Sequence, residues 1–310
     1  MILRTPLFSS GIAPRGKITS RTDSSPTRVN SDASRSTARS LAQDSFCPSG
    51  LCSCGRRRFI EAAVATSLFP ICPSTSVASK LQANDYTAML RKVHPPRPDW
   101  YEEFYASVLN SGMQAYEDEI AGYKSELFAS LKGKAQQVLE LGIGTGPNLK
   151  YYAAADSGLR VFGVDPNQKM ERYAKAAAVA SGLPLSNFEF IQAVGEAIPL
   201  DDASVDAVVG TLVLCSVKDV DKTLKEIKRV LRPAGLYLFV EHVAAKDGTT
   251  LRFIQSVLDP LQQTLADGCH LTRETGKNIS GSGFSGVELS MTSLSSASII
   301  NPQIYGIACK

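Results

Sequence analysis

Short apolar runs alternate along this chain with longer segments in which apolar positions recur every three or four residues. The first run, Val138-Leu139-Glu140-Leu141, is followed by apolar runs at residues 160–165, 188–191, 205–214 and 236–241. Runs of this length, bounded by glycine, proline or charged residues, predict strands; the almost wholly apolar run at 205–214 predicts one buried on both faces. Helices are predicted between them. Residues 148–155 form a short one, and residues 168–181 an alanine-rich one that stops at Gly182-Leu183-Pro184. Val220, Leu224, Ile227 and Leu231 share a face of another, closed by Pro233 and Gly235, and residues 251–265 read as helix interrupted at Pro260. Ahead of the first strand, Met113, Tyr116, Ile120, Tyr123, Leu127 and Leu131 mark one face of a helix ending near Gly133. Two late strands are expected at 287–290 and 304–308. The alternation predicts an α/β fold: a doubly wound, Rossmann-like, mostly parallel sheet of seven strands.

The pattern starts only after a leader. The chain has 310 residues and a formal charge of +3, so its total charge gives no support to a nucleic-acid partner. Residues 1–46 hold seven Lys/Arg but three acids and are dense in Ser and Thr. An Arg- and Ser-rich, acid-poor start resembles a chloroplast transit peptide. Arg56-Arg57-Arg58 then precedes a short apolar stretch and the small residues Ser76-Val77-Ala78. That is the anatomy of a twin-arginine signal, and it leaves stroma, thylakoid surface and thylakoid lumen open. The expected organisation is a largely disordered targeting region at 1–80, a linker and N-terminal helix at 81–110, and one catalytic domain at 111–310. His94-Pro95-Pro96-Arg97-Pro98 is read as a rigid extended connection. Four cysteines lie in the leader without a histidine or a second ligand pair, and Cys215, Cys269 and Cys309 are scattered. No metal centre and no disulfide framework are expected from these spacings.

The chemistry sits at the strand ends. After the first strand come Gly142, Gly144 and Gly146, each spaced by one residue. Such a turn lets backbone approach a ligand where a Cβ would obstruct it. The second strand ends in Asp165-Pro166, a carboxylate placed to accept ribose hydroxyls. The spacing E-x-G-x-G-x-G is not the G-x-G-x-x-G of dinucleotide sites, and no Lys-Ser/Thr pair follows as in a P-loop. It resembles motif I of the class I S-adenosylmethionine methyltransferases. The resemblance implies S-adenosylmethionine as cofactor, with Glu140 at its methionine end, Asp165 at its ribose, and Thr211 near its amino group. Relatives commonly have an aspartate where this chain has Val194, so backbone at Val194 and Gly195, or the Glu196 side chain, would meet the adenine instead.

A narrower resemblance covers residues from about Tyr116 to the end. Thr211-Leu212-Val213-Leu214-Cys215-Ser216-Val217, Glu241-His242-Val243-Ala244-Ala245, Gly268-Cys269-His270-Leu271-Thr272-Arg273-Glu274 and Ile304-Tyr305-Gly306 are similar to the animal thiol S-methyltransferases. It implies methyl transfer to a small lipophilic thiol. The rivals are a C- or O-methyltransferase of a prenyl quinone or other lipid, and a non-catalytic cofactor-binding relic. A thiol needs only modest activation, because a few per cent is ionised near neutrality and the thiolate is the nucleophile. His242 and His270 are the candidates if a general base operates. Cys215, following a buried run, reads as a packing cysteine. The expected partner is the small acceptor, with peripheral membrane association left open and no obligate protein partner implied.

Overall fold

In a computed structural model of the chain, residues 83–155 and 158–310 are described. The leader, with its arginine-led segment and cysteines, lies outside them. Among the described residues seven strands form one sheet: β1 (Gln137–Leu141), β2 (Arg160–Asp165), β3 (Phe188–Gln192), β4 (Val205–Thr211), β5 (Leu231–His242), β6 (Gly286–Thr292) and β7 (Gln303–Cys309). Their order is β3-β2-β1-β4-β5-β7-β6. The first five pair in parallel, and β7 runs antiparallel between β5 and β6. This is the doubly wound, mostly parallel sheet that the alternating pattern predicts.

The sheet separates two cores, and the period of two along each strand feeds both. Val138 and Val209 face a core shared with Ile120 and Leu127 of α3 (Gln114–Ala129), Leu149 of α4 (Leu149–Ala155) and Ala174 of α5 (Met170–Ala180). Leu139, Leu141 and Val208 face the other, filled by Leu224 and Ile227 of α6 (Val220–Val230) and Ile279 of α8 (Thr275–Gly281). The start of α6 is set by Asp219, whose Oδ1 accepts from the Lys222 amide at 2.9 Å, and its last turn carries Lys228 and Arg229. Both features favour the helix at its own end.

Four expectations about element limits change. The fourth strand stops at Thr211, not 214, because Leu212 takes a φ of +54° and turns the chain out of the sheet. The helix ahead of β5 ends at Val230, and extended backbone begins at Leu231; Pro233, Ala234 and Gly235 fall in a register shift between the Leu231 and Leu236 pairs. α7 (Thr250–Leu265) runs through Pro260 without a break. Pro260 and Ser256, whose carbonyl the missing N–H leaves free, are both exposed, so water can satisfy that group. Finally, the stretch 81–110, expected to hold a linker and one N-terminal helix, holds two helices, α1 (Ala83–Val93) and α2 (Asp99–Gly112), joined by the extended 94–98 segment. The Asn167 side chain donates to the Glu102 carbonyl at 3.0 Å, and His94 Nε2 lies 3.0 Å from Asp267 Oδ1. Both contacts tie this stretch to the body of the fold.

Candidate active site

A cavity of about 850 Å³ opens over the carboxyl ends of β1, β2, β4 and β5. Neighbouring connections leave β1 and β4 in opposite directions there, which is where open α/β sheets bind ligands. The glycine turn forms its floor. The amides of Gly142 and Ile143 both donate to the Val164 carbonyl, at 2.8 and 3.1 Å, which folds the turn onto β2. Gly146 has a φ of +82°, and a Cβ on it would press on Leu149 and Ala177. Gly144 has a φ of +51° with open space where its Cβ would stand, so only a hydrogen separates this backbone from the cavity.

Asp165 is nine-tenths buried and lines the cavity. Its Oδ2 accepts from the Gly144 amide at 3.0 Å and its Oδ1 from the Asn167 amide at 2.9 Å. Burial lifts its pKa to about 6, against the lowering pull of those two amides. Gly142, Gly144, Gly146, Pro166, Val194, Gly195, Glu196 and Thr211 line the same cavity. Glu140 does not. It is completely buried one layer behind, where its Oε1 accepts from Asn148 Nδ2 at 2.8 Å; the same amide reaches Thr211 Oγ1 at 3.0 Å. Burial raises Glu140 to about 7. Its visible work is to tie the glycine turn to β4. Glu196 is likewise engaged, since its Oε1 accepts from the amides of Lys218 and Asp219 at 2.6 and 3.0 Å.

The wall beyond β4 is a loop held from three sides. Glu241, completely buried at the end of β5, accepts the Val213 and Leu214 amides on one oxygen, each at 3.0 Å. Arg273 Nη1 donates to the carbonyls of Leu214 and Val217 at 2.7 and 2.5 Å. The His270 amide donates to the Cys215 carbonyl at 2.9 Å. The positive φ of Leu212 is strain that these bonds sustain. They fix Cys215 on the cavity wall beside His242 and Cys269. His242 is buried, with Nε2 3.2 Å from Cys269 Sγ and Nδ1 without a partner. His270 is more accessible; its Nδ1 is 3.5 Å from Asp259 Oδ2, and burial lowers its pKa, which favours the neutral, proton-accepting ring.

A methyltransferase-domain family model matches residues 139–239. Human thiol S-methyltransferase TMT1A is 42% identical over 203 residues, which cover 63% of this chain and 81% of that protein. The chain belongs to the thiol S-methyltransferase family. Rat thiol S-methyltransferase TMT1B is 45% identical over 172 residues, covering 54% of this chain and 69% of the relative. The fold agrees. A chain from the complex of the Haloferax volcanii Trm112 methyltransferase activator with a methyltransferase superposes with a TM-score of 0.52 at 18% identity, covering 69% of this chain and 99% of that one. The protein is thus a class I S-adenosylmethionine-dependent methyltransferase, as its glycine turn and strand-end carboxylate suggest.

Several site residues of this family member escape a linear reading. Glu117 and Lys124 of α3 form a buried pair at the cavity, with Lys124 Nζ 2.8 and 2.7 Å from the two carboxylate oxygens. Their signal was present, since both polar residues interrupt a helix whose neighbours Tyr116, Ile120 and Leu127 are core. The roles of Arg273 and Asn148 were not legible, because Arg273 acts on the backbone of Leu214 and Val217 and Asn148 joins Glu140 to Thr211, both across the fold. Cys215 packs, as expected of its place after β4, but it also faces a second cysteine and an imidazole.

Proposed function

We propose that this enzyme methylates small lipophilic thiols, and that Asp165, the glycine turn and the Val194–Glu196 backbone hold its cofactor. The observation that carries the reading is one apolar cavity joining a strand-end carboxylate and a close-approach turn to the Cys215–His242–Cys269 wall. The volume suits a ligand of cofactor size, and the residues present fit the group: Asp165 would accept its hydroxyls, and Leu141, Val164 and Ala193 would meet its flat apolar face. S-adenosylmethionine, when bound, supplies an electrophilic methyl carbon on a sulfonium. The protein's share is alignment and exclusion of water, which suffice for an in-line displacement by a thiolate. His270 lines the same cavity and is the accessible imidazole there that would take a thiol proton.

Methyl-transfer assays on the purified chain with labelled cofactor test this against alkyl thiols, sulfide and a prenylated quinol. Label on thiols supports the reading. Label on the quinol alone replaces the acceptor and keeps the fold and cofactor.

Asp165 provides a sharper check of the cofactor site. Asp165→Ala should weaken cofactor binding by about 2 kcal/mol, roughly thirtyfold, through loss of two charge-assisted hydrogen bonds. Accepting hydroxyls favours the ionised carboxylate. With a pKa near 6 in the free protein, affinity should rise with pH up to about 6 and level off above it. Below, it should fall by up to about tenfold per unit, as each binding event must expel a proton. Calorimetry from pH 5 to 8 on both proteins reads this; a flat wild-type profile and an unaffected variant would remove Asp165 from the ribose.

Location follows the leader. The chloroplast reading, in stroma or at a thylakoid surface, is supported by the Arg- and Ser-rich start. Membrane association is supported by two exposed stripes, Trp100, Phe104 and Val108 on α2 and Phe253, Val257, Leu261 and Leu265 on α7. Tyr101 links these helices by bonding the Thr264 and Leu265 carbonyls, and Phe104, Val108 and Leu265 reach the cavity mouth. A lipophilic acceptor dissolved in a bilayer would enter there. No helix among the described residues is long and apolar enough to cross a membrane. Plastid fractionation of the native source with N-terminal sequencing should recover a mature chain starting near Ser79, partly with membranes; a chain retaining Met1 in another compartment would refute it.

A further inference from the structure

Cys215 follows β4, His242 ends β5, and Cys269 lies in the loop after α7. The spacing of these residues in sequence suggests no metal site, yet the fold gathers them. One sulfur from each cysteine and one imidazole nitrogen all lie within 4.8 Å of one another, and all three residues are buried on the cavity wall. We propose that Cys215 Sγ, Cys269 Sγ and His242 Nε2 form a three-ligand site for one zinc ion. Its fourth position opens on the cavity and takes the acceptor's sulfur, a role that rests on the thiol reading above.

Geometry supports the site. In a tetrahedral zinc centre, with bonds of about 2.3 Å to sulfur and 2.0 Å to nitrogen, a nitrogen and a sulfur ligand stand roughly 3.5 Å apart and two sulfurs roughly 3.8 Å. His242 Nε2 and Cys269 Sγ stand at 3.2 Å, and with all three ligand atoms within 4.8 Å of one another, side-chain shifts of up to about an ångström set the distances. Both cysteines are free thiols. Two thiolates and an imidazole suit zinc and exclude the hard cations that want oxygen. Three protein ligands beside a cavity are also the catalytic arrangement, where structural sites close with four. The ligands are held in advance: Glu241 and Arg273 fix the loop that carries Cys215, and β5 fixes His242. Glu241 and Arg273 are charged neighbours of opposite sign, with Glu196 facing Arg273. Two thiolates therefore balance the charge of the ion, which a buried cluster requires.

The chemistry balances without an oxidant. Zinc binding releases the two cysteine protons to solvent. The acceptor then binds through sulfur as a thiolate, and its own proton also passes to solvent. Its sulfur forms a bond to the methyl carbon as the bond from that carbon to the sulfonium breaks, and the electron pair leaves with the thioether product of the cofactor. Coordination would turn a thiol ionised to a few per cent into one held fully as thiolate.

The test uses the full chain with Cys47, Cys52, Cys54 and Cys72 changed to Ser, reduced, stripped with chelator and titrated with cobalt(II) as probe. One equivalent should bind, with thiolate-to-cobalt absorption, and zinc should displace it. Cys215→Ser, Cys269→Ser and His242→Gln should each weaken binding at least tenfold while circular dichroism shows folded protein. Ethanethiol, added without cofactor, should change the visible spectrum. Folded protein that binds no cobalt, or binds it as well in the Cys215→Ser/Cys269→Ser variant, overturns the site. Methyl transfer to thiols by such metal-free protein would leave the thiol reading standing. Cobalt bound through the three residues but blind to ethanethiol would overturn the acceptor's place at the fourth position.

Discussion

Lys124→Met should destabilise the protein by about 3 kcal/mol, because it leaves Glu117 buried at the cavity edge without its cation. Lys124 is only 1% exposed, and its ammonium contacts both oxygens of Glu117. Taking two charges out of water is expensive, and their attraction repays it only when both are present. Burial pulls the Lys124 pKa down while Glu117 pulls it up, which is the balance expected of a pair that must exist together. The double variant Lys124→Met/Glu117→Leu should recover most of the loss, since apolar replacements of similar size in a buried pair are often neutral. Urea unfolding of the four proteins in the cycle measures this. A single variant as stable as wild type would mean that water reaches Glu117 freely. Cofactor affinity on the same proteins separates a second role. If binding fails to return in the double variant while stability does, the ammonium serves the ligand as well as the helix.

The contrast between this pair and the glycine turn shows what a sequence carries. The turn was legible because its chemistry is local: strand, glycines and helix follow one another, and Asp165 lies one strand away. The five parallel strands were legible for the same reason, as was the helix over α3. Element limits failed where a distant group decides them. Strand β4 looks apolar to 214, but the Val213 and Leu214 amides bond the Glu241 carboxylate instead of the sheet. Residues 81–110 read as a linker with one helix, and the contacts that tie them to the rest, to Asn167, Thr264 and Asp267, come from far along the chain. The motif resemblance implies Glu140 at the cofactor's methionine end, yet its carboxylate accepts from Asn148 in the layer behind the cavity wall. The Cys215–His242–Cys269 wall is the clearest case. Both cysteines alone look like packing and His242 alone like a candidate base, and only the meeting of the turn after β4, the end of β5 and the loop after α7 makes them a group.

Gly306→Ala should be the most damaging single methyl in the domain, at about 3–5 kcal/mol, seen as a lost or strongly lowered unfolding transition. Gly306 lies in β7, paired with Phe239 of β5 on one side and Leu289 of β6 on the other. A Cβ there would overlap the Glu288 carbonyl and press on the Phe239 ring. The first obstacle is backbone, which cannot rotate away, and it belongs to the ladder that joins β6 to the sheet. Relief would require β6 to shift, and a shift of register turns every side chain of a strand to the opposite face. This gives a physical reason for the glycine in the Ile304-Tyr305-Gly306 segment, a reason that concerns strand packing and not chemistry. The damage should reach the site all the same. β7 braces β5, and Glu241 and His242 pair with Ile304 and Gln303. Loosening β7 would therefore free the two residues that shape the wall facing the cofactor. Soluble Gly306→Ala protein with an unchanged melting temperature would show that β6 is free to move, and that the antiparallel edge is not what holds the site.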